Sequence, residues 1–109
     1  MSTKDARSSL RRRLARTFLD VLILQMVTEE PLWGYRLIST IRRRYDLNVG
    51  PPTIYPLLAS MEAAGFVESE EVYEGRRRRK VYHTTPKGLE RIECFKAVLL
   101  EMAGEGKRS

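Results

Sequence analysis

Residues 73–88 read YEGRRRRKVYHTTPKG, four arginines and a lysine in succession directly after a glycine. Such a run suits a localisation signal, a disordered basic tract, or a surface that meets a phosphate backbone, and composition alone does not choose among them. The flanks decide. Upstream stand Val67, Val72 and Tyr73, downstream Val81 and Tyr82, and two β-rich stretches joined by a Gly-containing loop predict an antiparallel hairpin with the arginine run at its tip. Thr85 before Pro86 then predicts an N-cap with proline at the first helical position. The helix it opens carries Ile92, Phe95, Leu99 and Met102 at spacings of three and four.

Working back from the hairpin, NVGPPTIYPLLASMEAAGF predicts a helix that Gly50 caps, Pro51 begins and Gly65 stops, with Ile54, Leu57, Leu58 and Met61 as its core stripe. Pro56 bends the axis if the helix starts at Gly50 and is harmless if the start slides to Thr53. Before it, WGYRLISTIRRRYDL sets Leu37, Ile38, Ile41 and Tyr45 on one face and Arg36, Ser39, Arg42 and Arg43 on the other. Asp46, Leu47 and Asn48 form the turn between. From Ser9 a single long helix is expected, with Leu10, Leu14, Phe18, Val21, Leu22 and Gln25 in register, ended by Pro31.

The 109 residues make one domain, near the size at which a second copy usefully adds buried area. With 42% hydrophobic and 31% charged residues the chain is of the folding kind. Its net charge of +6 and pI near 9.8 favour an anionic partner, nucleic acid before membrane. One cysteine, Cys94, and one histidine, His83, exclude an intrachain disulfide and a Cys- or His-rich metal site, so no cofactor is expected. The densest apolar run, Val21 to Met26, falls far short of the ~20 residues a membrane span needs, and Asp20 interrupts any signal-peptide core behind the Arg-rich N-terminus. A cytoplasmic protein is expected. Asn and Gln occur once each, a depletion of thermolabile amides also found in heat-adapted proteins.

Helix, helix, turn, helix, hairpin, helix is the order of a winged helix-turn-helix, a mainly α (α+β) fold with a two-stranded wing and here a C-terminal dimerisation helix. Its third helix enters the major groove of DNA. Five cations, Arg76, Arg77, Arg78, Arg79 and Lys80, suit the wing's contact with phosphates; the plainer reading pairs them with Glu68, Glu70, Glu71 and Glu74. WGYRL at 33–37, TIYPLLASMEAAGFV at 53–67 and RRKVYHTTPKG at 78–88 together resemble the PadR family of winged-helix transcriptional regulators, over residues 18–92. The resemblance implies a cytoplasmic homodimer that binds an operator, usually as a repressor, and the short subgroup whose single C-terminal helix dimerises.

The expected organisation is a flexible basic terminus over 1–8, a DNA-binding domain over 9–85, a dimerisation helix over 86–103 and a tail over 104–109. Expected DNA contacts are Arg36, Arg42, Arg43, Thr53, Tyr55, Ser60 and the run Arg76 to Lys80; Arg11 to Arg13 could add phosphate contacts. Leu10, Leu14, Ile92, Phe95, Leu99 and Met102 are the expected dimer interface. No Lys or Arg lies between Asn48 and Tyr73, so the recognition helix lacks the side chains that most often read guanine. Tyr55 serves equally well as core packing. The last helix offers a single aromatic, Phe95, so an effector pocket is not carried over, although an unidentified small-molecule effector stays open. His83 reads as a packed or surface residue and Cys94 as a small core or interface hydrophobe, with no third group to orient a nucleophile. No enzyme activity is expected. The alternatives are a non-specific architectural or RNA-binding protein and a winged helix that binds an acidic protein.

Overall fold

The computed structural model describes residues 3–105, so residues 1–2 of the expected N-terminal segment and 106–109 of the expected tail lie outside the described residues. The first predicted helix is two: α1 (Thr3–Thr17) and α2 (Leu19–Glu29). Helix begins at Thr3, not at Ser9. Phe18 leaves helical geometry at φ −111°, ψ 36°, although Phe18 N–H still reaches Leu14 O and Leu22 N–H reaches Phe18 O. The Thr17 hydroxyl donates to Arg13 O at 3.0 Å, a back-bond that bends helices, and Phe18 sets its ring edge-on to Phe95 at 5.0 Å. Helix α2 is apolar nearly all round because it is the centre of the molecule, touching α1, the helices over Pro51–Ala63 and Pro86–Met102, and the sheet.

Pro31 stops α2, and Leu32–Trp33 form a two-residue strand, β1, before α3 (Gly34–Tyr45). Leu37, Ile38 and Ile41 go to the core, while Arg42, Arg43 and Arg44 crowd the last turn, where cations suit the helix dipole. Asp46 ends the helix in the left-handed region at φ 50°, its carboxylate held by Arg12 at 3.0 Å. Leu47 and Val49 bury the turn, and Arg42 Nε donates to Val49 O at 2.7 Å.

Helix α4 (Pro51–Ala63) starts at the expected place, with Thr53 and Ile54 N–H bonded to Gly50 O. Pro56 therefore stands inside it, past the first turn, and denies a hydrogen bond to the preceding turn. Gly65, at φ 83°, closes the helix: its N–H meets Glu62 O and that of Phe66 meets Met61 O, the paired bonds of a Schellman cap.

The hairpin joins β2 (Val67–Glu74) to β3 (Arg77–Thr84) through Gly75 and Arg76. Only Gly75 has positive φ there, the pattern of a type II′ turn. One expectation is corrected and another is extended. Of the five cations only Arg76 is at the tip, because the two-residue turn places Arg77 to Lys80 in β3. The wing's two strands are joined by a third, since β1 pairs antiparallel with β3, Leu32 opposite Tyr82 and Trp33 opposite Val81, in the order β1-β3-β2.

Helix α5 (Pro86–Met102) opens on Thr85, whose hydroxyl accepts from Gly88 N–H at 3.0 Å and donates to Gly65 O at 2.6 Å, tying the helix to the end of α4. Ile92, expected at a dimer interface, belongs to the protomer's own core at 5% exposure, because α2 already covers that turn of α5. Cys94 is exposed rather than packed.

Candidate nucleic-acid interface

The third strand matters because it fixes the wing to the start of α3. Trp33 is at once the partner of Val81 and the N-cap residue of α3, so its ring faces a cleft between that helix, α4 and the wing. The cleft encloses about 500 Å³. Aromatic and small residues, Trp33, Gly34, Tyr35, Ser39 and Tyr55, line one part; Arg36, Arg77, Arg78, Arg79 and Lys80 line the other. Five cations around three aromatic rings form a surface suited to phosphates and to the sugar and base edges beside them.

Tyr55 is 41% exposed, on the outer face of α4, and is not core. Its ring packs so closely on Gly34 that a Cβ at residue 34 would lie 2.5 Å from Cε1. Thr53, Pro56, Ala59 and Ser60 share that exposed side of α4, outside the cleft. Arg42 is occupied by the carbonyl of Val49. Arg43 sits instead beside Arg36 and Arg44 in a small hollow that also holds Glu29 and Glu30. Arg12 is engaged with Asp46, and Arg11 borders an apolar groove on another side of the molecule.

The arginine run is divided by its pairing. Arg78 meets Glu71 and Arg79 meets Glu74, each at 3.6 Å, while Lys80 reaches back to Glu62 of α4 at 3.5 Å. Arg79 is also stacked over Trp33 at 4.6 Å and is the least exposed of the three. Arg76 and Arg77 have no ion pair among the described residues. Glu70 pairs with His83 at 2.8 Å rather than with the run. The Glu62 carboxyl is held below the ordinary range by the Ser69 hydroxyl that donates to it at 2.5 Å, with Lys80 adding to the effect. Beneath, burial pushes the Tyr82 phenol upward.

Sequence reasoning missed Trp33, Gly34 and Tyr35 as parts of the cleft, although all three belong to the WGYRL motif. Their place depends on the pairing of β1, for which two residues carry no alternation to read.

On another side of the molecule an apolar groove of about 190 Å³ runs between α1, α2 and α5. Leu14, Ala15, Phe18 and Leu22 form one wall, Phe95 and Leu99 the other. Leu10 and Met102 are 56% and 80% exposed. No cluster of His, Cys or acidic residues fit to hold a metal occurs among the described residues, and no helix there is long and apolar enough to cross a membrane.

A family model described as the transcriptional regulator PadR-like family matches residues 23–94. A transcriptional regulator of Mycobacterium tuberculosis is 31% identical over 94 residues, which is 86% of this chain and 87% of that protein. Among solved structures, a PadR family transcriptional regulator from Eggerthella lenta has TM-score 0.73 and 31% identity over 94% of this chain and 92% of its own. A PadR-like transcriptional regulator from Bacillus cereus has TM-score 0.73 and 30% identity, with 84% and 89% covered.

Proposed function

Because the chain belongs to the PadR-like family of transcriptional regulators, we propose that it binds double-stranded DNA as a cytoplasmic homodimer and represses from a palindromic operator. The observation that carries this is the cleft in which Arg36, Tyr55 and the wing cations face one another across α3, α4 and β3. With α4 in the major groove, the wing lies along the adjoining backbone and Arg76 and Arg77 meet phosphates. Arg43 adds a phosphate contact from α3. Thr53, Tyr55 and Ser60 read base edges by single hydrogen bonds and by contact with thymine methyls. Specificity per base pair is accordingly modest and salt dependence strong.

Residues 9–85 form the DNA-binding unit, and 86–103 dimerise it. Leu10, Leu14, Phe95, Leu99 and Met102 supply the interface, with the groove between α1 and α5 as its seat. A two-fold dimer presents two α4 helices to half-sites about 10 bp apart.

Capture of genomic duplex fragments on the purified protein, followed by sequencing, tests the proposal. Enrichment of a palindrome that outcompetes random duplex and RNA supports it. Equal retention of all duplexes and RNA identifies a non-specific binder, and no retention at all sinks it.

A further inference from the structure

The two strands of the wing carry opposite charge. Strand β2 holds Glu68, Glu70, Glu71 and Glu74, and β3 holds Arg77 to Lys80. Antiparallel pairing alternates side chains between faces, so each face of the ribbon has its own acid and its own base. Arg78 and Glu71 lie on the face that carries Tyr82, and Arg79 and Glu74 on the face that carries Trp33 and Val81. On each, carboxylate and guanidinium are diagonal neighbours at 3.6 Å.

We propose that Glu71 and Glu74 act as built-in competitors of DNA phosphate, restraining the wing's affinity for non-specific duplex. The inference rests on the reading of the wing as a phosphate contact. A free arginine gains by neutralising any phosphate it meets, because a condensed counterion is released. Arg78 and Arg79 are different. Each already has a carboxylate at ion-pair distance, which offsets its charge and which an approaching polyanion repels. A phosphate contact is favourable only where the phosphate is held in the correct position, as in a complex registered by α4 on its operator. On random duplex the wing is left with Arg76 and Arg77. Trp33 sharpens the effect at Arg79, since stacking fixes the guanidinium beside Glu74 and limits its search for other anions.

Surface pairs of this kind are each worth at most about a fivefold change in equilibrium constant. The double variant Glu71→Gln/Glu74→Gln should therefore bind a random 30-bp duplex about threefold to tenfold more tightly, with a log–log salt slope steeper by about one to two. Both glutamates are more than half exposed, so the fold should survive, which thermal unfolding checks. Removing two negative charges anywhere favours DNA to some degree. The control is Asp20→Asn/Glu105→Gln, on α2 and after α5, which makes the same change in net charge away from both the wing and the proposed dimerisation helix. A clear gain in the wing variant with little in the control supports the proposal. Equal gains in both variants, or none in either, overturn it. A wild-type protein that binds no duplex at low salt instead overturns the DNA-binding reading, and this inference with it.

Discussion

The guanidinium of Arg79 lies over the indole of Trp33, 4.6 Å from the ring centroid, and so joins the wing to the first residue of α3's cap. Replacing Trp33 by Ala removes the stack, which alone is worth ~0.5–1 kcal/mol at an exposed site. The variant should melt several degrees lower and bind duplex more weakly, and Trp33→Phe should recover part of both. Trp33 is the sole tryptophan, so tryptophan emission reports on the surroundings of this one ring. Duplex binding should change that emission in the wild type; unchanged emission at saturating duplex would place the DNA elsewhere.

Two glycines lacking room for a Cβ should respond differently to alanine. At Gly88, on the first turn of α5, a Cβ would run into the Phe66 carbonyl oxygen, which is backbone, with Thr84 Oγ1 at 2.9 Å. Gly88→Ala should cost about 2–3 kcal/mol, as overpacking does where nothing can yield. At Gly34 the obstacle is the ring of Tyr55, partly exposed and able to swing. Gly34→Ala should cost less than ~1 kcal/mol yet displace Tyr55 and so lower preference for the operator. Denaturant unfolding of the two variants, with similar losses for both, would contradict this.

What the sequence made legible was local backbone chemistry. The caps at Gly50, Gly65 and Thr85 stand as expected because each depends on a few adjacent residues. Strand β1 was hidden because two residues have no period, and the register of the hairpin because one residue of turn length decides whether Arg77 is tip or strand. Ile92 and Leu99 belong to one apolar stripe on α5 and read alike. The first is buried in the core cluster and the second, two turns on, is 41% exposed on the wall of the open groove. Phe18 interrupts the first helix with no Pro or Gly to announce it. Which cations are free and which are paired is a tertiary fact throughout: Arg42, Arg43 and Arg44 are consecutive, and only Arg42 meets a carbonyl of the turn.

That difference separates two neighbouring arginines. Arg42→Ala loses a charge-assisted bond to Val49 O and should destabilise the turn before α4 by about 1.5–3 kcal/mol. Arg43→Ala should leave stability within about 0.5 kcal/mol and weaken operator and random duplex alike. Tyr55→Ala should instead lower preference for the operator over random duplex. Equal losses on both duplexes for Tyr55→Ala would remove α4 from base recognition.

Glu62 links α4 to the wing and supplies a pH dependence. Its folded pKa lies below the ordinary carboxyl value of 4.5, chiefly through the Ser69 hydroxyl. A depressed carboxylate stabilises the fold above its unfolded value, and that stabilisation is lost as pH falls through the folded value. Wild type should therefore exceed Glu62→Gln in melting temperature at neutral pH, and the gap should narrow below pH 4.5. A gap that is constant between neutral pH and pH 3 would show that the carboxylate's charge is immaterial.

Dimerisation is tested where the protomer has least to lose. Phe95 packs on Phe18 within one chain, so its substitution would confuse folding with assembly. Leu14 and Leu99 line the same groove and are 42% and 41% exposed, so charge at either leaves the core intact. Leu14→Glu and Leu99→Glu should each sediment as a 12.6 kDa monomer at concentrations where the wild type is twice that mass. Helical content and melting should change little. Binding to a palindromic duplex should fall by at least about tenfold, because the second half-site is no longer reached at high effective concentration, while binding to a single half-site is kept. A wild type that is itself monomeric at micromolar concentration would move the interface off this groove and leave Leu10, Leu14, Leu99 and Met102 without their proposed role.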